Sequence, residues 1–336
     1  MGVSPALIAG VVRKRPYKPT RKLHGRFLNR PDVPTNLQHS IRLRAFAKIN
    51  LGLRLLAKRP DGYHEIRTIY QTIALHDRLE ISLSRAGGGI RFECDNPEIP
   101  SGSENLVYRA CDLWRRTVNY RGGVKARLEK MIPAGSGLGG GSSDAAAALE
   151  GLERLCGEKL PPHQRFSLAA QLGSDVPLFL LGGRVLGCGR GEDVYPLPDL
   201  PPRKCLVAFP GFSISTAEAY RQADLRLTSQ GKPRSMKDVG AWPQFPRLDW
   251  GPAENDFERV VFARWPELAR LKRHLIRAGA EMASLTGSGS ALYAVFESAR
   301  QLLHASKLIP KGWLIFRSRT LSRAEYWRLL YGRRRA

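Results

Sequence analysis

Between Gly135 and Ser143 the chain carries five glycines and three serines, and Asp144 leads straight into the strong helix formers Ala145 to Leu149. Glycine lets backbone N–H groups turn toward a ligand with no Cβ in the way. A helix N-terminus adds unpaired donors and the positive end of a dipole. A loop built this way suits phosphate. Its serine hydroxyls can bond phosphate oxygens or ligate a magnesium ion. A second chemically distinctive pair, Tyr63 and His64, follows Asp61-Gly62. That dipeptide is a turn signal and predicts both rings exposed on a loop.

Three nucleotide-loop patterns compete for the glycine segment. Walker A needs Gly-Lys-Ser/Thr at its end, and Gly141 is followed by Ser142, so that pattern fails. The dinucleotide pattern G-x-G-x-x-G matches at Gly135, Gly137 and Gly140, but Pro133 just before it and its place deep in the chain are poor context. A glycine loop that only caps a helix is the plain structural alternative. The third pattern, Pro-x-x-x-Gly-Leu-Gly-x-x-Ser-Ser, fits Pro133 and Gly137 to Ser143 without a mismatch. It resembles the phosphate loop of the GHMP kinases, named for galactokinase, homoserine kinase, mevalonate kinase and phosphomevalonate kinase.

The elements that must position these groups can be read coarsely. Residues 42–55, 68–76 and 77–83 read as strands, and 123–129 alternates as a strand leading into the glycine loop. Leu106, Ala110, Leu113 and Val118 are spaced as a helix over 105–118. A further helix is expected over 144–156, and proline-rich 196–202 marks a domain boundary. Beyond it come a long polar insertion at 222–248, helices near 256–264 and 267–278, and strands at 290–296 and 313–319. The domains expected are a basic, disordered extension 1–40, an ATP-binding domain 41–199, a second domain 200–328 and a basic tail 329–336.

Length and composition bound the class. A chain of 336 residues that is 43% hydrophobic can build two cores. No apolar run approaches the ~20 residues that span a bilayer, so no membrane partner is expected. Five cysteines without C-x-x-C spacing favour reduced thiols in a cytoplasmic protein and argue against zinc. The net charge of +24 is concentrated at the ends: residues 1–44 carry +9 and residues 317–336 carry +6, leaving +9 between them. Solvated basic tails explain that distribution, and a nucleic-acid partner is not expected. A moderately positive body suits an anionic small molecule. The arginine-rich start also resembles a transit peptide but holds only two serines. A bacterial extension or an early start is expected, with plastid targeting as the alternative.

Further segments strengthen the resemblance. Ala45-Phe-Ala-Lys-Ile-Asn-Leu51 resembles the first GHMP motif, with Phe46 where proline is usual. Gly173-Ser-Asp-Val-Pro177, Gly187-Cys-Gly-Arg-Gly-Glu192, Asn255-Asp-Phe-Glu258 and Leu285-Thr-Gly-Ser-Gly-Ser290 follow in family order. Arg59-Pro-Asp-Gly-Tyr-His-Glu65 is similar to one branch, whose acceptor is a cytidyl-diphosphate-linked methylerythritol of the non-mevalonate isoprenoid route. The likeness runs from about residue 43 to 328.

The resemblance implies an α+β, two-domain fold: a first domain like the second domain of a ribosomal small-subunit protein, then a ferredoxin-like domain, with the site between them. It implies an ATP- and magnesium-dependent kinase that phosphorylates the acceptor's 2-hydroxyl, acting as a monomer or homodimer. Lys48 and Asp175 become the catalytic pair, Asp175 receiving or orienting the hydroxyl proton. An aspartate near pKa ~3.9 is a weak base, so orientation can outweigh deprotonation. Read alone, Asp175 caps a helix or turn before Val176-Pro177. The ATP set is Pro133, Ala134, Gly135, Ser136, Gly137, Leu138, Gly139, Gly140, Gly141, Ser142 and Ser143, with Asn105 on the adenine side and Ser143 as magnesium ligand. Asn50, Tyr63, His64, Thr216, Tyr220, Gly287 and Ser288 are assigned to the substrate. Tyr63 and Tyr220 would stack on the base, His64 would bond its edge, and Asn50 would bond the erythritol portion or serve structure. A homoserine- or mevalonate-type kinase, or a non-catalytic RNA-binding protein of related fold, are the competing readings.

Overall fold

The structure is a computed structural model that describes residues 40–59, 62–84, 88–157, 159–229 and 254–331. The expected extension before Ser40, most of the 222–248 insertion, the last five residues and Asp61 of the turn signal lie outside the described residues.

Two strands dominate the first half. β1 (Ser40–Lys58) and β2 (His64–Ser84) pair antiparallel along nearly their whole length. The separate strands expected over 68–76 and 77–83 are one strand. Its far edge takes two partners in succession, β5 (Arg184–Cys188) along 68–71 and β4 (Gly123–Glu129) along 78–84. β3 (Ile90–Cys94) lies parallel to β4, and β6 (Asp193–Pro196) pairs with β5. Helices α1 (Leu106–Val118), α2 (Gly140–Cys156), α3 (Pro162–Leu172) and α4 (Val176–Phe179) contribute to a core on one face of this sheet.

The expectation for α2 needs correction, because it starts at Gly140 rather than at Asp144. Gly139, at φ +72°, turns the chain into the helix, and Gly140 to Ser143 form its first turn. Glycine is a poor helix former. Here tertiary packing overrides that preference, since Ala145 to Leu149 are all buried against the sheet and α1.

The second sheet has the order β10-β7-β9-β8 and is antiparallel throughout. Its strands are β7 (Lys204–Phe209), β8 (Met282–Leu285), β9 (Leu292–Phe296) and β10 (Leu314–Arg319). The helices are α5 (Thr216–Ser229), α6 (Glu258–Arg264), α7 (Pro266–Arg277) and α8 (Ala299–Ser306). This β-α-β-β-α-β order is the ferredoxin-like arrangement expected from the resemblance. The proline-rich stretch 196–202 runs from β6 of one sheet to β7 of the other. Leu321 and then α9 (Arg323–Leu330), through Tyr326 and Leu330, return to the first core.

Both faces of the second sheet are apolar. Cys205, Val207, Phe209, Tyr293 and Val295 meet Ala47, Ile49 and Leu51 of β1, while Leu206, Ala208, Ala294 and Phe296 pack under α6 to α8. β1 serves both cores because its register slips between Phe46 and Lys48. Leu43 and Ala45 face the first core, whereas Ala47 and Ile49 face the inter-sheet core. A bulge in the ladder can exchange the faces of a strand, and the burial pattern of β1 changes phase at this one. It therefore turns Lys48 and Asn50 toward the side that carries α2.

Candidate active site

The glycine loop is held where β1 and the second sheet meet. Lys48 N donates to Leu138 O at 2.9 Å, Ala291 N donates to Ser136 O at 3.1 Å, and Thr286 Oγ1 donates to Gly137 O at 2.9 Å. Gly135, Gly137 and Gly139 all have positive φ. At Gly137 the need for glycine is double, since a Cβ would lie 2.1 Å from Thr286 O at φ +81°. No side chain caps α2. Its first-turn amides and dipole thus face a cleft of about 990 Å³, near the upper end of ordinary ligand pockets.

Lys48 and Asp175 come together at this cleft. Lys48 is buried, and its Nζ lies 3.3 Å from Asp175 Oδ2 and 2.8 Å from Asn50 Oδ1. Asp175 sits at the N-terminus of α4 without capping it. Its side chain instead accepts from Tyr70 Oη at 3.0 Å and keeps 31% of its surface open. Burial, and then the Asp175 charge, push the Tyr70 phenol well above its ordinary range, so Tyr70 is a donor at neutral pH.

Every site residue expected from the sequence lines this cleft except Ser143. Its hydroxyl is buried without a partner, and Ser142 is the serine on the cleft wall. Helical spacing decides this, because neighbouring residues point about 100° apart around α2. Asn105 reaches the wall, but its amide is occupied: Oδ1 caps α1 by accepting from Val107 N at 2.8 Å, and Nδ2 donates to Pro100 O at 3.0 Å. Asn50 is similarly engaged. Its Oδ1 accepts from Lys48, Thr286 Oγ1 and Gly287 N, and its Nδ2 donates to Thr68.

Of the pair Tyr63 and His64 at the other end of the cleft, Tyr63 is exposed, at 55%. The expectation of two exposed rings fails for His64, which opens β2, is buried, and stacks on Tyr220 with ring centroids 4.6 Å apart. Tyr220 also meets the edge of Phe257, and its phenol is pushed up by burial and then by Asp175. The Arg190 guanidinium lies 4.8 Å from the Tyr63 ring. Thr216 and Ser288 hydroxyls meet at 3.1 Å beside this end.

Sequence reasoning missed a buried charged group beneath the loop. Lys130 Nζ lies 2.5 Å from Asp77 Oδ2 and 2.9 Å from Asp144 Oδ2. Asp77 Oδ1 also accepts from Met131 N and from Ile132 N, the residues that enter the loop. Burial pushes Asp144 well above the usual carboxylate range, against the pull of Lys130. Tyr70 was missed as well, since nothing in an apolar alternating strand distinguishes it from a core residue. Among the described residues no group of three or more His, Cys, Asp or Glu could hold a metal ion, and no helix is long and apolar enough to cross a membrane.

The GHMP kinases N terminal domain profile matches residues 105–183, and the GHMP kinases C terminal profile matches residues 245–306. The 4-diphosphocytidyl-2-C-methyl-D-erythritol kinase of Solibacter usitatus is 44% identical over 294 residues, 85% of this chain and 91% of that protein. A crystal structure of a 4-(cytidine 5'-diphospho)-2C-methyl-D-erythritol kinase superposes with a TM-score of 0.66 at 32% identity, covering 83% of this chain and 99% of the other. Homoserine kinase from Cytophaga hutchinsonii superposes with a TM-score of 0.57 at 21% identity over 85% and 95% of the two chains, a likeness of fold alone. The chain is thus a kinase of the GHMP group and belongs to the 4-diphosphocytidyl-2-C-methyl-D-erythritol kinase family.

Proposed function

We propose that this protein transfers the γ-phosphoryl of ATP to the 2-hydroxyl of 4-diphosphocytidyl-2-C-methyl-D-erythritol, giving the 2-phosphate and ADP in the non-mevalonate isoprenoid route. One observation carries the reading: the Lys48–Asp175 pair at 3.3 Å shares a cleft with an uncapped glycine-loop helix and an aromatic end. Homoserine or mevalonate would offer no ring to the exposed Tyr63, while Tyr220, expected from the sequence to stack on the base, already stacks on His64. An RNA-binding protein would have no use for a buried lysine against an aspartate.

Phosphoryl transfer depends on positioning and charge neutralisation more than on covalent help from the protein. The amides of Gly140, Gly141 and Ser142 receive phosphate oxygens at the start of α2, and the walls near Asn105 hold the adenine. Asp175 accepts a hydrogen bond from the substrate hydroxyl and takes its proton as the oxygen attacks the γ-phosphorus and the bond to the bridging oxygen breaks. Tyr70 fixes the carboxylate from one side. Lys48 favours its ionised form and offsets charge building on the transferring group. Asn50 holds Lys48 and the 286–288 loop in register. Tyr63 stacks on the cytosine, with His64 and Tyr220 forming the wall behind it.

The donor set fits magnesium that is held chiefly by phosphate oxygens and water, with the Ser142 hydroxyl as the protein ligand in place of Ser143. That ion would neutralise charge on the β- and γ-phosphates.

Purified protein with ATP, magnesium and the cytidyl substrate should release ADP stoichiometrically with phosphorylated product, and Asp175→Asn should lower kcat by ~10²- to 10⁴-fold. Preference for homoserine or mevalonate would reject the substrate. Near-normal turnover by Asp175→Asn would reject the mechanism.

A further inference from the structure

Asp175 is carried by α4, which is only four residues long and cannot fix its own orientation. A short helix leaves its last carbonyls without intrahelical donors. Here the last one, and one in the turn just beyond the helix, are met from 147 and 146 residues away: Tyr326 Oη donates to Phe179 O at 2.7 Å, and Trp327 Nε1 donates to Leu181 O at 3.0 Å. Both donors lie on α9. The Tyr326 ring fills the space above Gly182, where a Cβ would sit 2.2 Å from its Cδ1.

The same ring touches the strand that carries the lysine. Tyr326 and Phe46 have centroids 5.4 Å apart, and both are buried. Phe46 stands at the register slip that turns Lys48 toward the cleft, two residues before it. Phe179, whose carbonyl Tyr326 holds, also lies with its ring against the glycine loop, 3.1 Å from where a Cβ of Gly139 would stand. One side chain thus meets the supports of Lys48 and Asp175 directly, and reaches the loop through Phe179. Burial, with Glu150 adding to it, pushes the Tyr326 phenol above its ordinary range, so it remains a donor.

We propose that Tyr326 is a positioning residue that sets the Lys48–Asp175 geometry by bonding Phe179 O while packing on Phe46. The kinetic part of this inference rests on the function proposed above. Tyr326→Phe keeps the ring and removes the donor. Kinase activity of the full chain should show kcat falling about tenfold, the size expected for one buried hydrogen bond, with both KM values within about twofold. In an Asp175→Asn background the same change should lower the residual turnover by clearly less than tenfold, because the carboxylate it positions is gone and only its support of Lys48 remains. Hydrogen exchange on the protein without substrate should speed up over residues 176–182 and stay unchanged in the second sheet. Trp327→Phe, which removes the parallel donor, gives the same test if Tyr326→Phe does not fold. A kcat within twofold of wild type, an undiminished loss in the Asp175→Asn background, or unchanged exchange over 176–182 would each overturn the proposal. If the wild type phosphorylates a different alcohol, the substrate reading fails alone, and the same comparisons on that alcohol still decide the role of Tyr326.

Discussion

Replacing Lys130 with methionine keeps the aliphatic stem and removes the cation between Asp77 and Asp144. All three side chains are almost inaccessible: 6% for Lys130, 0% for Asp77 and 3% for Asp144. Removing one partner of a buried pair leaves uncompensated charge, a loss of about 3–5 kcal/mol. The variant can relieve this by binding a proton at Asp144, whose folded pKa already lies above its unfolded value because of burial and Asp77. A raised carboxylate pKa means the native state holds a proton that the unfolded state has released. Stability then falls as pH rises between the two values, by about 1.4 kcal/mol per unit. In the wild type Lys130 pulls that pKa down, so the gap between the proteins widens with pH. Urea unfolding should give a deficit of about 3–5 kcal/mol at pH 7.5, shrinking by up to about 2.7 kcal/mol at pH 5.5. The KM for ATP should also rise, because Asp77 fixes the amides of Met131 and Ile132 at the entrance to the loop. A deficit below about 1 kcal/mol, or one equal at both pH values, would refute the reasoning.

Gly137→Ala places a Cβ 2.1 Å from Thr286 O at φ +81°. The backbone strain alone is ~1–2 kcal/mol, so steady-state kinetics should show the KM for ATP raised about tenfold or more, and a value within twofold would count against the loop geometry. Tyr63→Ala should raise the KM for the cytidyl substrate about 5- to 150-fold and leave that for ATP unchanged, whereas equal effects on both would remove Tyr63 from base stacking. Asn50→Leu leaves Gly287 N and the Lys48 ammonium without their common acceptor. Its kcat should fall with little change in the substrate KM, and a rise in KM alone would point instead to direct contact with the erythritol.

Local rules read parts of this site and misread others. The glycine loop was legible because positive φ and close approach leave few residue types, and the serines and alanines after it marked a helix N-terminus. Its starting residue was not, since Gly140 to Ser143 are helical only because Ala145 to Leu149 are buried. Tyr63 and His64 look alike after a turn signal. Their fates differ because β2 begins at His64 and Tyr220 arrives from α5, more than 150 residues on, to cover it.

What the sequence determined by itself was the chemistry available: a glycine loop suited to phosphate, a lysine and an aspartate in motifs of one kinase family, and an aromatic pair able to meet a base. Tertiary structure decided which of those atoms face the cleft. The slip at Phe46 exchanges the faces of β1, α2's helical spacing buries Ser143 and exposes Ser142, and Asn50 and Asn105 are turned to internal bonds. Lys130, Tyr70 and Tyr326 gained their roles only from partners 53, 105 and 147 residues away. Side-chain direction follows from strand register and helix packing, and those are fixed by residues far apart in the chain.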